Sequence, residues 1–348
     1  DDVTKLFSEV DRFVAINEYP KISQIALSLF NQEYEEKYDI NNRMLLSNTK
    51  SAYVKISEGC NNVCAYCAIP LIRGKFVSYK KEDIITQVKD LVKNGVYEIN
   101  LISQDTTNYG IDLYKERCIV SLLEELVKIE GKFKIRLLYF YPELVTDELI
   151  MFIKNNDKVM PYFDIPIQHS ENRVLKLMNR RGDKDFLLQL FKKIRKEIPH
   201  AVIRTTLIVG FPTETDAEVG ELLHFIKEVK FDRLGAFVFS KEENTPAYEM
   251  EGHIDEKEGN NRLNAVYQVQ EEIGIKQNEL FIGTTQEVLT LGYDEESYLY
   301  YGRNYAFAPD DIDGYIFFGT LREVEIGEVV NVKILEASLD GLTGEMHE

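Results

Sequence analysis

The sequence predicts an α/β chain: a partial, open βα barrel of six units, followed by a small all-β barrel. Three observations predict it. Across residues 49–278, apolar runs of period two alternate with runs of helical spacing, six times over. That alternation is the pattern of a parallel sheet with helices packed outside it. From residue 279 the helical spacing stops, and short strands with glycine-marked turns take over. Finally, three of the four cysteines lie within eight residues, directly after the first strand.

Each element can be justified in order. Residues 1–48 form a short tract in which VDRFVAI suits a strand and SQIALSLFNQEY suits a helix. The barrel begins with AYVKIS, a period-2 strand, and the cysteine loop follows it. KEDIITQVKDLVKNG then sets Ile84, Ile85, Val88, Leu91 and Val92 on one helical face, with Gly95 just past the end. YEINLIS, FKIRLLYFY, YFDIPIQ, AVIRTTLIVG and RLGAFVFS are the remaining five strands, each followed by a helical run. Six units are too few to close an eight-unit barrel, so the sheet is expected to stay open. Functional loops belong at the strand C-termini: the cysteine loop, SQDTTNYG, IQHSEN, GFPTET and FSKEENTP. In the last part, TQEVLTLGY, SYLYYGRN, DGYIFFG and VVNVKILEAS read as the strands of a small antiparallel barrel, of a kind often used to grip a macromolecule.

Composition narrows the function. The chain is 348 residues long, 44% hydrophobic, with a formal net charge of -18. A nucleic-acid binder carries a basic patch or balance, which this chain lacks overall. No apolar run approaches the ~20 residues of a membrane span. DDVTKLF has neither the basic start nor the apolar stretch of a signal peptide. A cytoplasmic protein is expected, and the missing initiator Met suggests a fragment or processed chain. A single tight cysteine cluster reads as a metal or redox site rather than a disulfide scaffold.

Cys60, Cys64 and Cys67 form a CxxxCxxC run. Three thiolates at this spacing fit three corners of a 4Fe–4S cube and leave one iron open. In S-adenosylmethionine (SAM) enzymes the methionine amino and carboxylate groups fill that position, and an electron from the cluster splits the sulfonium to give a 5′-deoxyadenosyl radical. Two readings compete from spacing alone: Cys64-Ala-Tyr-Cys67 as a redox dithiol, or zinc with a distant fourth ligand. Tyr66 supplies a flat ring that can pack on an adenine. Cys118 sits beside an apolar helix and reads as a buried structural thiol. Arg204 lies inside an apolar strand, where it needs a carboxylate partner. Gly210, in the turn after the fifth strand, allows close backbone approach to a ligand. Arg73 and Gly74 could anchor the cysteine loop.

At these segments the chain resembles the radical SAM methylthiotransferases. SEGCNNVCAYCAIPLIRGKFVS is similar to that family's cluster segment, IQHSENRVLKLMNR to its fourth-strand segment and TTLIVGFPTET to its fifth, with Thr213 where the family usually has Gly. The closing barrel resembles a TRAM domain. ISQDTTNYG and GRNYAFAPDDIDGYIFF resemble the RimO-type branch, which acts on an aspartate β-carbon of small-subunit ribosomal protein twelve, more than the branch that modifies tRNA adenosines. The resemblance implies a 4Fe–4S cluster on the three cysteines, SAM, an electron donor, and a second 4Fe–4S cluster in the full-length protein. It places Gln104, Asp105, Gln168, His169, Ser170, Arg204 and Gly210, with Tyr66, at the SAM or substrate edge. No cysteine precedes Cys60, so the chain is expected to lack most of the family's first domain. The expected division is 1–48 for the end of that domain, 49–278 for the radical SAM core and 279–348 for TRAM.

Charge adds a physical argument. Residues 280–348 hold five Asp and nine Glu against one Lys and two Arg, a net -11. Such a barrel repels phosphate and attracts a basic ribosomal protein. The rival readings are a tRNA methylthiotransferase and, from another class, a non-catalytic ribosome-associated module with a structural metal.

Overall fold

The computed structural model describes residues 5–32, 45 and 50–347. Residues 1–44 and 45–348 form two compact units. In the first, a 3-10 turn at Ile16–Lys21 leads into helix α1, Ile22–Ser28. The expected helix SQIALSLFNQEY is therefore seen over its first part, and its end at Tyr34 lies outside the described residues. VDRFVAI is not a strand. A strand needs a neighbour for its backbone groups, and no ladder forms among the described residues of this unit.

The second unit opens with strand β1, Ser51–Lys55, and a short antiparallel pair, β2 (Ser57–Glu58) and β3 (Val77–Ser78). This pair closes the base of the cysteine loop, which carries helix α2, Ile69–Arg73. The elements that follow complete this first strand–helix unit and add five more. They are α3 (Lys81–Lys93), β4 (Glu98–Ile102), α4 (Ile119–Val127), β5 (Lys134–Leu137), α5 (Asp147–Lys154), β6 (Tyr162–Asp164), α6 (Asn172–Leu177) and α7 (Lys184–Glu197), then β7 (Val202–Val209), α8 (Asp216–Val229), β8 (Arg233–Val238) and α9 (Glu256–Glu279). Helix starts are capped as the sequence demands. Asp183 and Asp255 accept from the first turns of α7 and α9, and Thr215 with Glu218 makes a capping box on α8.

β1, β4 and β5 pair in parallel, as do β6, β7 and β8. A parallel bridge between Ile135 and Val159 joins the two halves, giving six strands in sequence order. Alternate residues face opposite ways. Ala52, Val54, Ile99, Leu101, Ile135, Leu137, Phe163, Ile203 and Leu207 build the core with the helices. The concave face instead carries Tyr53, Glu98, Asn100, Arg136, Tyr162, Asp164 and Arg204.

The tail forms a closed five-stranded barrel from β9 (Thr285–Asp294), β10 (Leu299–Arg303), β11 (Tyr315–Gly319), β12 (Val329–Ala337) and β13 (Gly341–Met346), in the order β10-β11-β13-β12-β9. β13 is the strand missing from the sequence reading. It forms a hairpin with β12, and barrel closure lays it parallel to β11, the one pairing that is not antiparallel.

The segment between β10 and β11 plugs the lower concave face of the open sheet. Glu98, fully buried, sits between Arg136 (3.0 Å) and Arg303 of the barrel, whose Nε is 3.0 Å away. Arg136 also donates to the carbonyls of Asn304 (3.0 Å) and Tyr305 (2.8 Å). Burial alone would raise the Glu98 carboxyl, but the two guanidinium groups hold it down to about 2. Tyr53 donates to Asp310, and Tyr162 to Asp313. Leu138, Met160, Tyr162 and Val202 pack against Phe307, Phe318 and other barrel residues.

Candidate functional site

The cysteine loop is shaped at its first residue. Gly59 has φ +77°, and a Cβ there would lie 2.2 Å from the Lys75 carbonyl oxygen, so only glycine lets the two ends of the loop close on each other. Cys60 N donates to the Gly74 carbonyl at 3.2 Å, which gives Gly74 the anchoring role expected of it. Asn61 Oδ1 accepts from Phe76 N at 3.0 Å.

Four other segments hold the loop, three of them beyond strands and one beyond helix α6. Asn62 Nδ2 donates to Asp105 Oδ2 (2.8 Å), after β4. The Tyr141 hydroxyl lies 3.3 Å from Cys64 Sγ, after β5. After α6, Ala65 N donates to the Met178 carbonyl (2.9 Å) and Asn179 Nδ2 to the Val63 carbonyl (2.8 Å). Ala247 N, beyond β8, donates to the Ala65 carbonyl at 2.8 Å. Phe211, after β7, joins Ala65, Val174, Met178 and Ala247 in a small apolar cluster beneath the loop.

Each thiol has a different setting. Cys60 Sγ accepts from Asn62 N (3.4 Å) and Asn62 Nδ2 (3.3 Å). Burial pushes this thiol up, and the Asn62 N–H groups oppose it. Cys64 Sγ faces Tyr141 and Arg180. Burial also raises the Cys67 thiol, against a backbone N–H from Ile69. Among the described residues, no group of three or more His, Cys, Asp or Glu side chains is set around a single metal ion. A zinc ion gathers its ligands to about 2.3 Å from one centre, whereas a cube spreads thiolates over separate iron corners. Three thiols on one loop suit three corners of such a cube, and Cys118 is buried in the core.

The other expected site residues divide. Gln104 Oε1 and Ser170 Oγ, at the ends of β4 and beyond β6, are buried without a hydrogen-bond partner, as is Glu143 Oε2 after β5. Buried polar atoms normally have partners, so this rim fits a polar ligand such as SAM. Gln168 holds φ +70°, with its N and O tied to Thr206 O and Ile208 N of β7. Tyr139 (φ +65°) and Thr213 (φ +65°) are also left-handed; the latter is the position where the resemblance expects glycine. Asp105 is engaged by Asn62, Thr107 and Asn108, so it positions the loop. Tyr66 packs on the apolar cluster beneath the loop.

His169, Gly210 and Arg204 have protein partners of their own. His169 Nδ1 accepts from Glu171 N at 2.9 Å, which leaves the proton on Nε2, 3.2 Å from Glu214 Oε1 but poorly aligned with it. Glu214 also accepts from Gly210 N (2.7 Å) and from Arg262 of α9 (2.8 Å). The close approach at Gly210 is to Gly259 of α9. Arg204 has the carboxylates its setting demands, in Asp164 (3.0 Å) and barrel Asp313 (3.4 Å). Sequence reasoning missed Asn62, Tyr141 and Arg180. Asn62 stood in plain view between the cysteines; the other two are remote in sequence. A cleft of about 470 Å³ lies away from this rim, at the strand starts between sheet and barrel, lined by Tyr97, Lys134, His200, Glu287, Arg303 and Tyr305.

Comparison with known proteins agrees with this architecture. Residues 54–226 match the radical SAM superfamily and residues 282–346 the TRAM domain. "Ribosomal protein uS12 methylthiotransferase RimO" of Clostridium botulinum strain Hall is 45% identical, over 98% of this chain and 78% of its own length. The protein of that name from Acetivibrio thermocellus is 41% identical, over 99% of this chain and 80% of its own. Among solved structures, the radical SAM methyltransferase TsrM of Kitasatospora setae is 12% identical with a TM-score of 0.48, covering 68% of this chain and 42% of its own. Streptococcus suis SuiB is 15% identical at 0.46, covering 77% and 55%. With a sulfur-rich loop at the rim of an open six-stranded sheet, a TRAM barrel behind it and relatives this similar along almost the whole chain, the protein belongs to the RimO family of radical SAM methylthiotransferases.

Proposed function

We propose that this chain acts on ribosomal protein uS12, replacing a hydrogen on an aspartate β-carbon by a methylthio group. The observation that carries the reading is the cysteine loop, bound on several sides to the strand-end loops of an open sheet. Cys60, Cys64 and Cys67 hold a 4Fe–4S cluster. With SAM bound, that cluster supplies a carbon radical able to take hydrogen from an unactivated C–H. The chain's own residues bind and orient. Asn62, set by Asp105, fixes Cys60. Gln104 and Ser170 offer unmatched polar atoms to SAM, with Gln168 and Tyr66 beside them. His169 and Gly210 hold the strand ends from behind, and Arg204 ties the sheet to the barrel. A second cluster in the full-length protein would supply the sulfur, and its ligands are not among the cysteines here.

The division 1–48, 49–278 and 279–348 serves these tasks as the end of a preceding domain, the radical core and the substrate grip. On the grip, Glu295, Glu296, Asp311, Glu323, Glu325 and Glu345 are exposed. They suit a basic protein partner and disfavour RNA. No described helix is long and apolar enough to cross a membrane, and we place the enzyme in the cytoplasm, with an external electron donor.

The test uses the chain reconstituted anaerobically with iron and sulfide and reduced with dithionite. It should release 5′-deoxyadenosine from SAM. In the full-length protein, which adds the second cluster, uS12 rather than tRNA nucleosides should gain the methylthio mass. A protein with an intact cluster that yields no 5′-deoxyadenosine overturns the reading, and label in tRNA moves it to the other branch.

A further inference from the structure

Arg180 is unlike most other buried arginines of the chain. Arg136, Arg204, Arg262 and Arg303 each have a carboxylate within ion-pair distance. Arg233 lacks one but donates to two carbonyls and to Asn278 Oδ1. Arg180, half-buried, has a single oxygen acceptor among the described residues, the Pro166 carbonyl at 2.7 Å. The rest of its guanidinium faces a ring and a sulfur. It lies over Tyr141, 4.3 Å from the ring centroid, and its Nη1 is 3.9 Å from Cys64 Sγ. The Tyr141 hydroxyl is 3.3 Å from the same sulfur.

Local structure fixes this placement. Helix α6 ends at a left-handed Asn179 (φ 54°). Arg180 N then bonds back to the Leu175 carbonyl (2.8 Å) and Asn179 N to that of Lys176 (3.1 Å), a Schellman ending. The turn aims the Arg180 side chain at the cysteine loop, where Asn179 Nδ2 also grips Val63. A buried guanidinium needs a compensating negative charge. The nearest group able to carry one is the Cys64 sulfur once it is a thiolate ligand.

Resting on the reading of Cys64 as a cluster ligand, we propose that Arg180, stacked on Tyr141, is a positioning residue that raises the cluster's reduction potential. Reduction adds one electron, taken from an external one-electron donor, and no other bond forms or breaks. A fixed cation and an O–H donor beside one ligand sulfur both favour the more negative, reduced state. Cys60 receives only neutral N–H groups, from Asn62, so the stabilisation is one-sided and is concentrated at the Cys64 corner.

The test is a redox titration of the reconstituted 348-residue chain, followed by electron paramagnetic resonance. Arg180→Gln should raise the oxidised-to-reduced ratio at a fixed poise at least tenfold, a fall of about 59 mV for one electron. Arg180→Lys should fall between it and the wild type, and Tyr141→Phe should shift the same way by less. Iron and sulfide contents should match throughout. Equal midpoints at equal iron content overturn the proposal. So does an unchanged midpoint with weakened SAM binding, which would assign the guanidinium to the SAM carboxylate. If Arg180→Gln does not load, unchanged midpoints in Arg180→Lys and Tyr141→Phe overturn it equally. A wild-type chain that takes up no iron and sulfide fails the ligand reading and this proposal with it, whereas an insensitive midpoint fails this proposal alone.

Discussion

The concave face of the sheet has two ends that treat polar groups in opposite ways. On the side that meets the barrel, Glu98, Arg136, Asp164 and Arg204 are matched, and their partners include Arg303 of β10 with Asn304, Tyr305 and Asp313 of the plug. At the strand ends, Gln104 Oε1, Glu143 Oε2 and Ser170 Oγ are buried and unmatched, and Tyr139, Gln168 and Thr213 hold left-handed backbone. Both ends bury polarity; the first pairs its charges within the chain and leaves only Asn100 Oδ1 open among the described residues, whereas the second leaves several polar atoms open. Matched burial marks assembly. Unmatched burial beside strained backbone marks a place where something else binds.

The contrast can be broken from either end. The largest effect should come from Cys64→Ala, which removes one of three cluster ligands. Iron and sulfide content after reconstitution should collapse, while the denaturation midpoint of the metal-free protein stays close to the wild type. Next is Glu98→Ala. It leaves Arg136 and Arg303 buried without their carboxylate, and unfolding by urea should report a loss of about 3–5 kcal/mol with no direct effect on cluster loading. The same carboxylate gives a pH signature. Its folded value, about 2, lies below its ordinary 4.5, so its contribution is complete above pH 4.5 and fades as pH falls toward 2. Wild type should lose stability across that window more steeply than Glu98→Ala. Asn62→Ala is intermediate. It frees Cys60 from its only side-chain donor and should weaken cluster retention roughly 10–100-fold, as loss of a supporting partner does elsewhere, measured by iron release to a chelator. The smallest effect sharpens the contrast most. Ser170→Ala deletes an unmatched hydroxyl, so stability should hold or rise slightly. SAM binding by equilibrium dialysis should weaken by the ~0.5–1.5 kcal/mol of one hydrogen bond. A clear loss of stability in Ser170→Ala would mean that the rim is matched after all.

Legibility in the sequence followed the same divide. The alternation of strands and helices is local, and so are the cysteine spacing and the change of pattern at the barrel. All three could be read directly. β13 escaped because GLTGEM spends two of its six positions on glycine and earns its place by barrel closure. VDRFVAI had strand character without a ladder to join. Arg204 was legible as a residue in need of a carboxylate, but not that barrel Asp313 is one of those it finds. Tyr141 and Arg180 meet Cys64 from 77 and 116 residues away, and no periodicity carries such a distance.

The plug also has a consequence in time. Glu98 and Arg303 are separated by 205 residues. A ribosome adding 5–20 residues each second needs about 10–40 s to bring the second after the first. For that interval the nascent sheet carries Glu98 and Arg136 without their later partners, and its concave face stays wet. The lower face can dry only after the barrel emerges, so docking of the barrel is a late event in the biogenesis of the enzyme.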